Sequence, residues 1–580
     1  MSEKNNPAKE TPIKINEELK KQLENFSPKY NYSLAEYSTW KIGGPAQILV
    51  EANNSFELEQ LIKLGYEYKL PVTILGKISN TLISDEGIRG LVILNRGRGI
   101  NLLEPSLSVL NSQTIIKAEA ETTETIKAIA PRHTESDVSH YDFSDLDYKE
   151  GEGLEEVEIK IDSGVDLAYS IAWSLKQGLC GLQHFAGIPG TVGGALFNNI
   201  HGGTRHFSDN FINLTALKEV KGLANLVMIC GPGGVGKNTI IRSLLKDNPD
   251  WIRFTTTTTR EPRDYEVEGD DYNFISVEKF KEKLERGEFI EYNELFEGVY
   301  YGTDQKLIEQ YLSENKTVLF DIDYHGVFNI EKHFGDKVQK IFLLPPTFQT
   351  LTDRMHNRGD SDAKIQKRLS ISKEEMNVAS LFDYQVVNDS LEKAISEVNG
   401  LINLKTRLRK VKLEFKDMNF GYDQSILRAH SNNTSDSNSS NKYYVLDITL
   451  SLVKGDIEKA KYVATEWARR KRTQPRISCG SVWQSCSSEI KEELGLPTQA
   501  AGYVIDQKLG LKGYQIGGAQ ISEFHGNFIV NDSKLATAKD VLEIMSHTQK
   551  SAQELGISLV PEISFLGFSE DELSKFITLH

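Results

Sequence analysis

Residues 226–239 read Leu-Val-Met-Ile-Cys-Gly-Pro-Gly-Gly-Val-Gly-Lys-Asn-Thr, an apolar run that passes into a glycine-rich loop and ends on a lysine. Five apolar residues stopped by glycine fit a buried strand, and TIIRSLLKD beyond the lysine fits a helix. Strand, loop and helix in that order belong to an α/β layer. Glycines let backbone N–H groups close around phosphate oxygens, and the helix start favours an anion. Gly231, Gly233, Gly234, Val235, Gly236, Lys237, Asn238 and Thr239 are therefore phosphate-binding candidates, with Lys237 reaching the outer phosphates. The strict pattern has Ser or Thr directly after the lysine; here Asn238 intervenes before Thr239.

A chain of 580 residues holds about four units of ordinary domain size. Its 67 basic and 82 acidic residues leave a net charge of −15, which argues against a general nucleic-acid or anionic-membrane binder. The four cysteines (Cys180, Cys230, Cys479, Cys486) form no CxxC pair and fit a reducing compartment. The first residues have no apolar core of a signal peptide, and no run approaches the roughly 18 apolar residues of a membrane span. A cytoplasmic protein without nucleic-acid or membrane partners is expected. Histidines lack ligand spacing, so no structural metal is expected. The basic run Arg469-Arg470-Lys471-Arg472 with Arg476 has no interleaved aromatics and reads as a helix end.

Residues 1–27 are polar and read as a flexible arm or a short helix. Strand and helix signals follow from Tyr37, and 101–157 reads as an insertion. Overlapping its end, 135–158 carries ten acids against the single base Lys149, an exposed composition. FINLTALKEV (211–220) and VKLEFKDMNF (411–420) read as two strand-like arms of one hairpin. If so, 223–406 is a domain inserted at a hairpin tip, where chain ends lie close together. Val220 and Val411 then belong on adjacent strands. The outer protein becomes 28–222 plus 407–580.

Beyond the glycine-rich loop, the middle block resembles guanylate kinase along nearly its whole length. The carrying segments are TTTTTREPRDYEVEGDDYNFIS, GEFIEYNELFEGVYYGT, VLFDIDYHGV, IFLLPP, DRMHNRGDSDAKIQKRL and FDYQVVND. The resemblance implies a P-loop nucleoside monophosphate kinase acting on GMP and ATP with Mg²⁺. By it, Thr256, Arg260, Arg263, Tyr272 and Tyr301 hold the GMP side, and Glu291, Thr303 and Asp323 read guanine. Guanine's N1–H and N2–H₂ donors suit a carboxylate, and arginine forks suit phosphate. Arg354, Arg358 and Arg368 match lid arginines that neutralise charge on the transferring phosphoryl group. Asn388 matches a position near adenine, and Asp321 with Thr239 is a candidate Mg²⁺ pair. Lys237 and the lid arginines Arg354, Arg358 and Arg368 are all present, which favours an active enzyme over a binding module.

The flanking segments resemble UDP-N-acetylenolpyruvoylglucosamine reductase. The resemblance rests on STWKIGGPAQILVEA, LPVTILGKISNTLISDEGIRGLVI, GLCGLQHFAGIPGTVGGALFNN, FGYDQSI, TQPRISCGSVW, LKGYQIGGAQISEFHGNFIVN and LVPEISFLGF. It implies an α+β fold with an FAD-binding and a substrate-binding part, interrupted by the α/β kinase. It also implies FAD and NADPH as cofactors and a UDP-N-acetylglucosamine enolpyruvate substrate. Gly76, Ser79, Asn80, Gly187, Ile188, Gly190, Thr191, Val192, Gly193 and Gly194 fall on the FAD loops. Ser481 matches the proton-donating serine and Glu562 the glutamate that stabilises the intermediate.

Asp423 stands where the family carries an arginine, a charge reversal beside a substrate carboxylate. Two like charges at about 4 Å and an effective dielectric near 20 repel by roughly 4 kcal/mol. Arg428, five residues on, is the nearest substitute cation. Ile78 falls where the family has glycine and puts a branched Cβ where backbone approach is expected. Two readings of the outer protein stay open: a working flavin reductase, and an inactive scaffold that carries the kinase.

Overall fold

The computed structural model describes residues 15–103, 146, 148, 150–151, 153–262, 267–269, 272–296, 298–357, 361–421, 425–429, 442–472, 474–475 and 477–579. The chain forms two compact units, Met1–Ala216 with Lys412–His580, and Leu217–Val411.

In the first unit, Lys29–Ser33, Pro45–Ala52, Ile88–Asn95 and Val72–Leu75 make a four-stranded sheet in that order. The first pair is antiparallel and the others parallel. Parallel neighbours need a crossover, and the helix Ser55–Glu67 supplies one. Asn54 caps it by accepting from the Glu57 amide at 2.8 Å, and Leu58, Leu61 and Ile62 are its buried face. A second sheet runs Thr406–Glu414, Phe211–Lys221, Tyr443–Lys454, Glu156–Asp162, Ile100–Leu103. Farther along the chain, Trp40, Val482, Trp483, Val541 and Met545 share another buried core. Ser564–Leu566 pairs in parallel with Thr81–Ile83, which brings the segment after Glu562 beside Asn80.

One expectation resolves and one changes here. Of the arm and short-helix alternatives for 1–27, the structure shows a helix, Glu17–Leu23, with Leu19 and Leu23 buried. Its two leucines lie four apart on one face, a pairing that mean polarity conceals. The 101–157 insertion is also shorter at both ends than its composition suggested. Ile100–Leu103 pairs antiparallel with Glu156–Asp162, so the acidic residues at 156 and 158 sit on a strand whose Ile159 and Ile161 are buried. Residues 104–145 lie outside the described residues.

The second unit centres on a parallel sheet of order Ile252–Arg253, Val318–Asp321, Leu226–Cys230, Val338–Leu344, Tyr384–Val387. Leu226–Cys230 is the middle strand and wholly buried, because apolar cores cover both faces of the sheet. That explains a continuous rather than alternating apolar run. A smaller sheet carries Asn273–Phe274, Thr257–Thr258, Val299–Asp304 and Phe289–Phe296. In an open parallel sheet, ligands bind beyond the carboxyl ends of the strands, and the glycine-rich loop leaves the central one.

Phe211–Lys221 and Thr406–Glu414, which carry Val220 and Val411, are neighbours in their sheet. The Gly222 amide donates to the Lys405 carbonyl at 2.7 Å where the strands end. Among the described residues, no helix is long and apolar enough to cross a membrane.

Candidate functional site

The loop from Gly231 opens directly into the helix Lys237–Asp247. Gly231, Gly234 and Gly236 have φ of 142°, 89° and 112°, the region that favours glycine. A Cβ on Gly231 would lie 2.5 Å from the Leu343 carbonyl oxygen, and one on Gly236 would lie 2.6 Å from Asn388 Nδ2. The Lys237 ammonium donates to the Gly231 carbonyl at 2.6 Å. Asn388, almost fully buried, donates Nδ2 to the Val235 carbonyl at 2.7 Å. Its buried Oδ1 has no partner among the described residues. Arg354 donates to the Val235 carbonyl at 3.2 Å and to the Asn388 carbonyl at 3.0 Å. This lid candidate therefore braces the loop here, while Arg368 is exposed on the helix Asp362–Asn377. Arg358 lies outside the described residues.

Asn238, at the position the pattern gives to Ser or Thr, accepts from Arg253 at 2.7 Å. Thr239 is exposed in the first helical turn and lines a cavity of about 310 Å³ with Asn238, Arg242, Ser243 and Lys246. Asp321 ends its strand in parallel register with Ile229. A threonine hydroxyl and a carboxylate are oxygen donors of the type a hard divalent cation takes. Among the described residues, no cluster of three or more His, Cys, Asp or Glu is placed to hold a metal by itself.

The acceptor side assembles on the smaller sheet. Arg260 donates Nε to the Tyr301 hydroxyl at 3.2 Å, and its guanidinium lies 5.3 Å from the Tyr272 ring centre. Tyr272 and Tyr301 meet edge to face at 5.8 Å. Thr256 sits just before the strand Thr257–Thr258, its carbonyl accepting from the Asn273 amide. Arg263 lies outside the described residues. Glu291 accepts from the Thr303 hydroxyl and from Asn329 Nδ2, each at 3.1 Å. Asp323 caps the helix Tyr324–Phe334 by accepting from the Gly326 amide at 3.0 Å. A Cβ on Gly326 would lie 2.6 Å from Glu291 Oε1, so only glycine leaves that carboxylate its place.

Sequence reasoning missed Asn329, the role of Gly326, and Glu375. Burial raises the Glu375 carboxyl, Lys237 opposes that rise, and Asp323 adds to it. Glu375 follows Arg368 by seven residues on one helix, two turns along the same stripe, and that spacing was the available signal. Burial pushes the Cys230 thiol up to about 12, leaving it inert.

In the first unit the two expected FAD loops meet. Ser79 Oγ donates to the Pro189 carbonyl at 2.9 Å, and a Cβ on Gly76 would lie 2.8 Å from Thr191 Oγ1. Thr191 caps Val192–Phe197, and the amides of Val192 and Gly193 are spent on the carbonyls of Val165 and Ser163. In front of Gly190 a Cβ would meet only Ser79 Oγ, at 3.8 Å. The Ile188 amide turns back to the Phe185 carbonyl. Lys471, at the end of the helix Ile457–Lys471, packs its stem against Gly187. Its ammonium lies 5.3 Å from the Trp467 ring centre, with no hydrogen-bond or ion-pair partner among the described residues. Burial lowers it to about 8. With those amides spent, the space in front of Gly190 and the partnerless Lys471 ammonium beside Gly187 are what fits a diphosphate here.

Ile78 corrects an expectation. Its φ is 51°, but its side chain lies in the core with Leu75, Ile83 and Val92 and does not crowd the loop. The departure from glycine is felt as backbone strain, of order 1–3 kcal/mol. Lys77 forms an ion pair with Asp166.

Ser481 and Glu562 come together because the Glu562 amide donates to the Val482 carbonyl at 2.8 Å. Asn80 Nδ2 reaches the Glu562 carbonyl at 3.5 Å. Arg428 donates to that carbonyl at 2.8 Å and to Asn198 Oδ1 at 3.3 Å. Asp423 lies outside the described residues.

The guanylate kinase family profile matches residues 223–405, and the profile of the UDP-N-acetylenolpyruvoylglucosamine reductase C-terminal domain matches residues 473–566. The chain is 37% identical over 194 residues to a guanylate kinase of Wolbachia pipientis wMel, covering 33% of this chain and 96% of that protein. It is 39% identical over 185 residues to the guanylate kinase of a Synechocystis strain, covering 32% of this chain and 95% of that protein. Among solved structures, a UDP-N-acetylenolpyruvylglucosamine reductase from Thermus caldophilus aligns at 17% identity and TM-score 0.39, covering 93% of this chain and 98% of that one. A guanylate kinase from Anaplasma phagocytophilum aligns at 28% identity and TM-score 0.25, covering 32% and 86%.

Proposed function

Since the chain belongs, through residues 223–405, to the guanylate kinase family, we propose that it transfers the γ-phosphoryl group of ATP to GMP. The observation that supports this reading is the placement of Glu291 against Thr303, Asn329 and Gly326, the last capped by Asp323, which puts a carboxylate where guanine's donors would be read. Adenine offers no such donor pair, so the site discriminates by leaving its acceptors unpaired with the wrong base. Arg260, Tyr272 and Tyr301 hold the acceptor phosphate, and the Gly231–Thr239 loop holds ATP. Lys237 leaves the Gly231 carbonyl when the β- and γ-phosphates arrive. Asp321 and Thr239 would hold Mg²⁺, which supplies charge neutralisation on the phosphates. Arg368 and Arg358 supply cations to the transferring group. A coupled assay with GMP, AMP, CMP and UMP, run beside Lys237→Ala, tests this. GMP-selective turnover lost in the variant supports it, and turnover that ignores the base refutes it.

For the outer protein, the meeting of the Gly76–Asn80 and Gly187–Gly194 loops beside Lys471 favours the flavin reductase reading over the inactive scaffold. FAD, when bound, supplies hydride chemistry with electrons from NADPH. The chain's own contribution would be Ser481 as proton donor to the enolpyruvyl carbon. Glu562 and Arg428 would hold the developing charge of the UDP-N-acetylglucosamine enolpyruvate. A visible absorbance scan with and without added FAD is the test, and a colourless protein that takes up no flavin selects the scaffold.

A further inference from the structure

The returning strand Thr406–Glu414 begins in the kinase unit with a composition that a filler strand would not have. Arg407 and Arg409 are 2% and 6% exposed. Arg407 donates to the Val338 carbonyl at 3.1 Å and also to the Asp336 carbonyl. Arg409 pairs with Asp336, and with Glu331 at 2.7 Å; Glu331 also takes Lys340, itself buried, at 2.7 Å. Lys218, on the outgoing strand, reaches Asp336 at 2.6 Å. Buried cations are tolerated only when each finds its partner. A slip of one residue would exchange the arginines for Leu408 and Lys410. The strand is therefore locked in one register.

What the register fixes is the neighbouring strand. Asp383, fully buried, accepts from the Lys410 amide at 2.9 Å through one oxygen and from the Lys340 amide at 2.8 Å through the other. The next residue, Tyr384, accepts the Leu408 amide on its hydroxyl at 3.0 Å. Four residues beyond Tyr384 stands Asn388, which ties the Val235 carbonyl of the ATP loop and carries Arg354 on its own carbonyl. Tyr384–Val387 is thus held by the returning strand at one end and holds the ATP loop at the other.

We propose that residues 406–411 are a positioning element of the kinase, setting the ATP loop through Asp383, Tyr384 and Asn388. The inference rests on the kinase reading for its substrate, and it deepens that reading by making ATP binding, and not GMP binding, the quantity this strand controls. Neither Tyr384 nor Arg409 belongs to the residues read as binding nucleotide; their partners are Leu408, and Asp336 and Glu331.

The test uses the full chain with Tyr384→Phe, which strands the Leu408 amide, and Arg409→Met, which breaks the Asp336 and Glu331 pairs. Each should raise KM for ATP by about threefold to thirtyfold with KM for GMP and kcat little changed. Hydrogen exchange of the amides at 233–238 should quicken in Tyr384→Phe, a readout independent of turnover and of the substrate assignment. Unaltered exchange there, or KM values for ATP and GMP that rise together, would overturn the proposal. Turnover that fails in the unsubstituted chain while loop exchange still quickens in Tyr384→Phe would sink the kinase reading and leave the positioning role standing.

Discussion

The side-chain amide of Asn388 and the carbonyl of Val235 meet at 2.7 Å, so the end of one parallel strand pins the apex of the loop leaving another. Val235 has no chemistry of its own, and its carbonyl direction is set from 153 residues away. Because the bond is buried, its loss leaves the Val235 carbonyl to the longer Arg354 contact at 3.2 Å alone. Asn388→Ala should therefore raise KM for ATP by about 1–2 kcal/mol, or five- to thirtyfold, with KM for GMP unchanged. Initial rates with each substrate varied in turn check this.

Gly326→Ala should damage the acceptor side alone. The added Cβ would sit 2.6 Å from Glu291 Oε1 and 2.4 Å from Ile322 Cδ1, an overpacking that costs about 1–3 kcal/mol. GMP turnover should fall at least tenfold while ATP binding to the loop persists. A nucleotide-binding titration with ATP separates this from general unfolding.

Lys471 gives a pH dependence with opposite signs for binding and stability. Its ammonium is lowered by burial to about 8 from an ordinary 10.5. Between those values the unfolded chain binds the proton and the native chain does not, so stability rises with pH across that window. Flavin affinity should fall as pH rises through about 8, where the native chain loses the cation beside the Gly187 loop. Lys471→Met should flatten both trends, read by thermal unfolding and by flavin fluorescence titration.

Arg428 should be needed for reduction and dispensable for flavin. Charge-assisted hydrogen bonds contribute about 1.5–3 kcal/mol, so Arg428→Met should cut enolpyruvyl reduction at least tenfold, with Arg428→Lys recovering part of it. The flavin spectrum should stay that of the unsubstituted chain. Reduction at the original rate in Arg428→Met would return the question to Asp423.

Much of the candidate site in the kinase unit was legible because its parts are written in contiguous segments. The Gly231–Thr239 loop follows its own strand, and Glu291, Thr303 and Asp323 each lie in a short motif at a strand end or helix start. What escaped depends on distant partners. Asn329 is 38 residues from the Glu291 it holds, and no local pattern marks it. Arg354 was legible as a cation but not as a brace, since its acceptors Val235 and Asn388 are contributed by other elements. Ile78 was read as an obstruction because sequence shows that a Cβ is present, not which way a left-handed residue points it. Lys471 was hidden inside a basic run, and only packing against Gly187 separates it from its solvated neighbours.

The adjacency of Phe211–Lys221 and Thr406–Glu414 also sets an order of events on the ribosome. The first strand emerges 185 residues before its neighbour begins, a wait of roughly 10–40 s at 5–20 residues per second. During that interval the whole kinase segment has been synthesised, long enough for a domain of its size to fold. The outer sheet has to hold its place unfinished, with Phe211–Lys221 still lacking both the strand from 406 and the strand from 443. Nascent chains of this protein should thus acquire nucleotide-binding competence once residues 406–411 have emerged and before the surrounding fold exists, so that the part whose synthesis began first is the last to be completed.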